Sequence, residues 1–218
     1  MLQVYGVIFD MDGLMFDTQS VWDQQWAGAL AAHGIDHVLP GFIETERGTT
    51  ADSTYRIIHE FYGPGADAEG IYASLCELSL KAFTDGAPIK PGLFELLDYL
   101  ASRHIPCAIA SSSPYRIIKT LIDATHVTPY FEPSLIVCGS DVEHSKPKPD
   151  IFLEAARRLG TAPQDTLVLE DSFNGVLAGA AGGFKVVMVP DLAQPNEEIL
   201  KLTTGVCNSL FDVIPLIS

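Results

Sequence analysis

The 218-residue chain is poor in basic side chains: 13 lysines and arginines stand against 28 aspartates and glutamates, a formal net charge of −15. Such a surface repels phosphate backbones and anionic lipid on average, so neither nucleic acid nor a membrane is expected as a partner. Cysteine is equally scarce. Cys76, Cys107, Cys138 and Cys207 are widely spaced and form no Cys-x-x-Cys pair, which removes the usual zinc and redox-dithiol patterns and leaves reduced, mostly buried thiols. No apolar run approaches about 18 residues, the length of a membrane span. The first apolar segment has no basic region before it and meets Asp10 too early for a secretion signal, so a cytoplasmic protein is expected. Internal repeats and low-complexity stretches are missing as well.

What remains is ordinary globular composition, 47% hydrophobic and 19% charged, which excludes a disordered chain. Five apolar segments read as strands: Val4 to Phe9, Pro106 to Ala110, Leu135 to Cys138, Thr166 to Leu169 and Lys185 to Val189. Helical periodicity fills the intervals between the last four, at Tyr115 to Ala124, Ile151 to Leu159 and Gly175 to Ala181. That alternation predicts an α/β fold, a Rossmann-like parallel sheet with right-handed crossovers. The interval between the first two strands is too long for one crossover. It holds three helical patterns, Gln19 to His33, Thr50 to Tyr62 and Ala68 to Thr84, and no convincing strand, so residues 17–87 read as an inserted all-helical cap within a core of residues 1–16 and 88–218. Trp22, Trp26 and Leu30 give the first of these helices one apolar face. Gly13 on one side and Asp85-Gly86-Ala87-Pro88 on the other supply hinge chemistry, and Pro91-Gly92 launches a helix over Leu93 to Ser102.

The most informative stretch is Val7-Ile8-Phe9-Asp10-Met11-Asp12-Gly13. A short, continuously apolar run places Asp10 at the carboxyl end of a buried strand, where open α/β sheets bind their ligands. Two carboxylates one residue apart can divide a reaction, one attacking or binding metal while the other handles protons, which suggests phosphoryl transfer. Asp and Gly also form turns wherever strands stop, so the motif alone decides nothing. Three further polar clusters shift the balance, each after its own apolar segment: Ser111-Ser112-Ser113, Ser145-Lys146-Pro147-Lys148, and Glu170-Asp171-Ser172. Serines at a helix start cap it, and their hydroxyl and N–H groups also bind phosphate oxygens without net charge. Two of only seven lysines fall in the second cluster.

In order and chemistry, Asp10, Ser111, Lys146 and Asp171 resemble the haloacid dehalogenase superfamily of phosphohydrolases, and the likeness covers nearly the whole chain. The resemblance implies that Asp10 attacks phosphorus to form an aspartyl phosphate and that Asp12 serves as general acid and then base. It implies too that Ser111, with Ser112, binds phosphate and that Lys146 holds the phosphoryl group and neutralises the nucleophile. Mg²⁺ is the implied cofactor, held by Asp10, the carbonyl of Asp12 and Asp171, with Glu170 either a ligand or standing behind them; its preference for oxygen ligands suits that set. One lysine and one divalent cation can invert the local field, so an acidic protein can still take a small anionic substrate.

The insertion between the first and second motifs resembles the β-phosphoglucomutase-like subgroup, which also contains small sugar phosphatases. Halide-releasing relatives lack the second Asp of the pair, and phosphonatases take a Schiff-base lysine from the cap, where this chain has only Lys81. A mutase must hold a second phosphate. At the places where the β-phosphoglucomutase pattern carries a histidine and an arginine, this chain has Trp22 and Ala51, and Arg47, Arg56 and Lys81 are the cap's only lysine or arginine cations. The expected function is therefore Mg²⁺-dependent hydrolysis of a small phosphorylated metabolite, a sugar or polyol phosphate, with a phosphosugar mutase as the alternative. Asp17-Thr18 and Trp22-Asp23 look like the cap entry of sugar and hexitol phosphate phosphatases, from which Gln19 and Ser20 depart. Arg47 and Trp22 are the candidate substrate contacts, although a Trp on an apolar helical face is also ordinary core. A receiver-like phospho-acceptor domain shares the acidic strand ends but not the long helical insertion.

Overall fold

The computed structural model describes residues 2–46 and 51–217. The chain divides into two compact units, Met1–Asp17 with Ala87–Ser218, and Thr18–Gly86. The first is built on a six-stranded sheet: β1 (Gly6–Phe9), β2 (Cys107–Ser111), β3 (Ile136–Cys138), β4 (Thr166–Glu170), β5 (Lys185–Met188) and β6 (Gly205–Val206). The spatial order is β3-β2-β1-β4-β5-β6 and every pair is parallel. The expected α/β architecture with an all-helical insertion is what the chain adopts.

Four helices, α1 (Thr18–Ala31), α2 (Phe42–Glu46), α3 (Ala51–Tyr62) and α4 (Ala68–Phe83), make the second unit. Trp26, Leu30, Phe42, Ile58, Ile71 and Leu75 fill its core, with the Trp26 and Phe42 rings edge to face at 4.7 Å. The tryptophan and leucine come from the apolar stripe read in the sequence. The first helix stops at Ala31, two residues short of the predicted end, because Gly34 takes a left-handed conformation (φ +80°) and the Ile35 N–H turns back to the Leu30 carbonyl.

The sheet unit carries α5 (Leu93–Ser102), α6 (Tyr115–Ala124), α7 (Asp150–Leu159), α8 (Phe173–Ala181) and α9 (Glu197–Leu202). Alternate strand residues face opposite sides. Ile8, Ala108, Ala110, Val168, Val186 and Met188 project into one core cluster, which receives Phe152 of α7, Val176 of α8 and Ile199 of α9. Right-handed crossovers moving the other way from β1 place α5 and α6 across the sheet. Those two helices bury Leu93, Leu96, Leu97, Leu100, Ile117 and Leu121 at helical spacing.

Strand order reverses at β1, so β1 and β4 flank the switch point where sheets of this kind bind ligands. Phe9 is in register with Ile109 on one side and Leu169 on the other, which brings Asp10 level with Ala110 and Glu170. The five predicted strands are all present, each shifted by no more than two residues at an end. All four cysteines are free thiols, three of them buried. Among the described residues, no helix is long and apolar enough to cross a membrane.

Ile8 is fully buried at the centre of the sheet. Ile8→Ala is expected to cost about 2–5 kcal/mol of unfolding free energy. Urea titration of the sheet unit's transition should show the lower midpoint with an unchanged slope.

Candidate active site

Each strand of the central trio ends in a polar side chain that the register directs to one place. The Lys146 ammonium is the hub: Nζ lies 2.5 Å from Asp10 Oδ1, 2.7 Å from Glu170 Oε1 and 3.3 Å from the Ala110 carbonyl. Its side chain is 8% exposed, and Nζ also sits 4.7 Å above the centre of the Phe152 ring. The loop that delivers it has a cis Lys146–Pro147 peptide and a Lys148 N–H bonded to the Ser145 carbonyl at 3.0 Å. Lys148, two residues on, is exposed.

Glu170 is fully buried and both its oxygens are engaged. Oε1 receives Lys146, while Oε2 accepts the N–H groups of Asp171 (3.0 Å) and Ser172 (2.9 Å) and the Ser172 hydroxyl (2.9 Å). Glu170, for which the sequence leaves open a ligand's place or one behind the ligands, thus has both oxygens committed to protein donors. Asp12 faces the serine cluster, its Oδ2 accepting the hydroxyls of Ser111 (2.9 Å) and Ser113 (2.8 Å). Ser112, named beside Ser111 in the sequence reading, is exposed, and it is Ser113 that turns its hydroxyl toward Asp12. Asp171 lies against Gly13: a Cβ built at Gly13 would collide with the Asp171 carboxylate, and the glycine's φ of +80° is strained for any other residue.

The charges explain one another. Burial pushes the Asp10 carboxyl up to about 8; Lys146 pulls it down, while Glu170 and Asp12 add repulsion. Asp171 is raised for the same first reason, burial, with Glu170, Asp10 and Asp191 adding to it and Lys146 opposing. Burial alone would lower the Lys146 pKa, but Asp10 and Glu170 outweigh it and hold the group above its ordinary value as an ammonium. One cation thus stands among two buried carboxylates, Asp10 and Glu170, and a half-buried third, Asp171, a cluster short of positive charge.

That shortage is the test of fit for a divalent ion. Mg²⁺ keeps several waters and needs only one or two carboxylates, which Asp10 and Asp171 offer. No complete cage of three or more His, Cys, Asp or Glu side chains exists among the described residues. Trp22 is half-buried, its ring edge to face with Phe83 at 5.7 Å and packed on the core of the helical unit. Arg47 lies outside the described residues.

Gly175 carries no chemistry and so escaped the sequence reading. A Cβ there would overlap the Glu170 carboxylate, which passes directly over the first turn of α8, where Ser172 caps the Gly175 N–H. An alanine in a helix normally stabilises by about 0.4–1 kcal/mol relative to glycine. Gly175→Ala is expected to do the reverse and destabilise by about 1–3 kcal/mol, as overpacking does, in a denaturant melt.

A family model described as haloacid dehalogenase-like hydrolase matches residues 5–183. The chain is 34% identical to a Drosophila melanogaster protein named "Probable pseudouridine-5'-phosphatase", over 98% of this chain and 93% of the relative. It is 24% identical to hexitol phosphatase B of Escherichia coli, over 97% of this chain and 95% of that protein. A crystal structure of β-phosphoglucomutase from Clostridium difficile superposes with a TM-score of 0.76 over 95% of this chain and 92% of that one, at 24% identity, a likeness of fold. With a match of this extent over both units, the chain belongs to the haloacid dehalogenase-like hydrolase family.

Proposed function

We propose that this protein is a Mg²⁺-dependent phosphatase that hydrolyses a small phosphorylated metabolite, a sugar or polyol phosphate, through an aspartyl phosphate. The observation that carries the reading is the meeting of Asp10 and Glu170 on the Lys146 ammonium, at the switch point of the sheet.

Asp10 attacks phosphorus through its carboxylate. Lys146, already 2.5 Å away, balances charge on the nucleophile and on the phosphoryl oxygens. Glu170 does not react; it fixes the lysine and is itself fixed by two backbone N–H groups and the Ser172 hydroxyl. Ser111 holds a phosphoryl oxygen, and Ser113 shares its grip on Asp12. Asp12 gives its proton to the leaving oxygen and then takes one from the water that opens the aspartyl phosphate. Asp10, Asp171 and the Asp12 carbonyl would hold the Mg²⁺, whose charge offsets that of the transferred group.

Named relatives support hydrolysis of small phosphate esters: a pseudouridine-5'-phosphatase and a hexitol phosphatase. Mutase chemistry would need cations in the helical unit to bind a second phosphate. Trp22, at the position where the mutase pattern has a histidine, is instead packed with Phe83. The family match spans the helical insertion, which a receiver-like phospho-acceptor lacks.

With Mg²⁺, the protein is expected to release phosphate repeatedly from members of a panel of phosphorylated sugars, polyols and nucleosides. It should not isomerise glucose 1-phosphate; isomerisation without phosphate release would replace the hydrolase reading with the mutase one. Removing the cation with a chelator should stop turnover, and adding Mg²⁺ back should restore it.

Asp10→Asn is expected to abolish phosphate release while circular dichroism and melting stay native. Substantial residual turnover would remove Asp10 from the nucleophile's role. Asp12→Ala is expected to slow hydrolysis by about 10²–10⁴-fold, the usual contribution of a general acid–base. An unchanged rate would end the proposed division of labour between the two carboxylates.

A further inference from the structure

Outside the residues already given roles, one half-buried charge pair lies beside the metal-binding end of the site. Lys90 Nζ lies 2.7 Å from Asp191 Oδ1, with the two side chains 22% and 18% exposed. Lys90 is anchored by its backbone, whose N–H donates to the Met15 carbonyl at 2.9 Å, in the turn that follows Asp12 and Gly13. Asp191 arrives from the opposite side, three residues past the end of β5, where the Val189 N–H bonds the Glu170 carbonyl at 2.7 Å.

Both meet at Gly13. The point a Cβ would occupy there lies 3.3 Å from Asp191 Oδ2 and collides with the carboxylate of Asp171. Asp191 and Asp171 therefore approach one another across a residue that has no side chain to separate them.

We propose that Lys90 neutralises Asp191 beside the Asp10–Asp171 site, so that the balance of these two charges tunes the site's affinity for its divalent cation. The inference rests on the phosphatase reading of that site. As a pair the two are neutral, and their fields at the metal position largely cancel. Remove the ammonium, and an uncompensated carboxylate next to Asp171 attracts the cation; remove the carboxylate, and a stranded ammonium repels it. Both groups are positioning residues that act through the local field, and neither is asked to touch substrate or metal. Partial burial limits screening by salt, so a single charge at this range still matters.

The test is calorimetric titration of Mg²⁺ and of Mn²⁺ into the substrate-free protein, with melting temperature recorded for each variant. Lys90→Met is expected to tighten the cation by about three- to tenfold and Asp191→Asn to weaken it by a similar factor, as expected for one elementary charge at intermediate effective dielectric. The double variant should return close to the parent. If Lys90→Met does not fold, Lys90→Gln carries the same expectation. A merely structural pair would weaken binding in both single variants; that result, or no shift in either, overturns the inference. Asp171→Asn separates the two levels of argument. If it abolishes binding while the Lys90 and Asp191 variants change nothing, the phosphatase reading stands and the charge pair falls. If Asp171→Asn binds the cation as the parent does, the metal site falls and the inference with it.

Discussion

Three carboxylates gathered around one ammonium, two of them withdrawn from water, is the constraint on which the rest of the molecule depends. Asp10 and Glu170 are buried and Asp171 half-buried at the ends of two adjacent strands, and Lys146 bonds the first two. Leaving a buried carboxylate uncompensated is expensive. The fold meets that cost in three ways: a parallel register that sets the strand ends side by side, a proline-flanked loop that returns Lys146 to them, and backbone N–H groups that saturate the far oxygen of Glu170. The net negative charge of this cluster is what a divalent cation would offset, so the architecture that gathers the carboxylates is also the one that would favour such an ion.

The placement of three of the polar clusters was legible in the sequence because each directly follows a run of buried strand residues, whereas Lys146 stands eight residues past the end of β3. In such a sheet, the end of a strand fixes where the next residues go, so Asp10, Ser111 and Asp171 could be gathered without coordinates, while Lys146 joined them through the family resemblance. Direction along the strand was readable; direction around it was not. Ser112 and Ser113 are indistinguishable as letters, and only the turn geometry sends the hydroxyl of the latter to Asp12. Glu170 and Asp171 are both acids at a strand end, and their different duties come from pleat and helix start: one points back at Lys146 and its own N–H groups, the other toward Gly13.

Other elements escaped for reasons of scale. At five residues, α2 cannot show a helical period, and β6 is two residues long. Gly175 and Gly13 matter for the side chains they lack, a property that shows only when a neighbouring carboxylate is seen occupying the space. The pairing of Lys90 with Asp191 joins two loop residues distant in sequence, with no motif at either end. Trp22 was weighed both as substrate contact and as core; its edge-to-face packing on Phe83 displays the second.

The position of β1 has a consequence for biosynthesis. Of the six strands of this sheet it is the first to be synthesised, yet Val7 pairs with Cys107 on one side and Leu167 on the other. The sheet can therefore not close around its centre until most of the chain has been translated, and such long-range pairing is slow. Until then an apolar segment with two open edges waits in the nascent polypeptide, a natural target for chaperones and for aggregation. The helical insertion, whose contacts are local, can form in the interval, so the order of assembly runs opposite to the order of importance for catalysis.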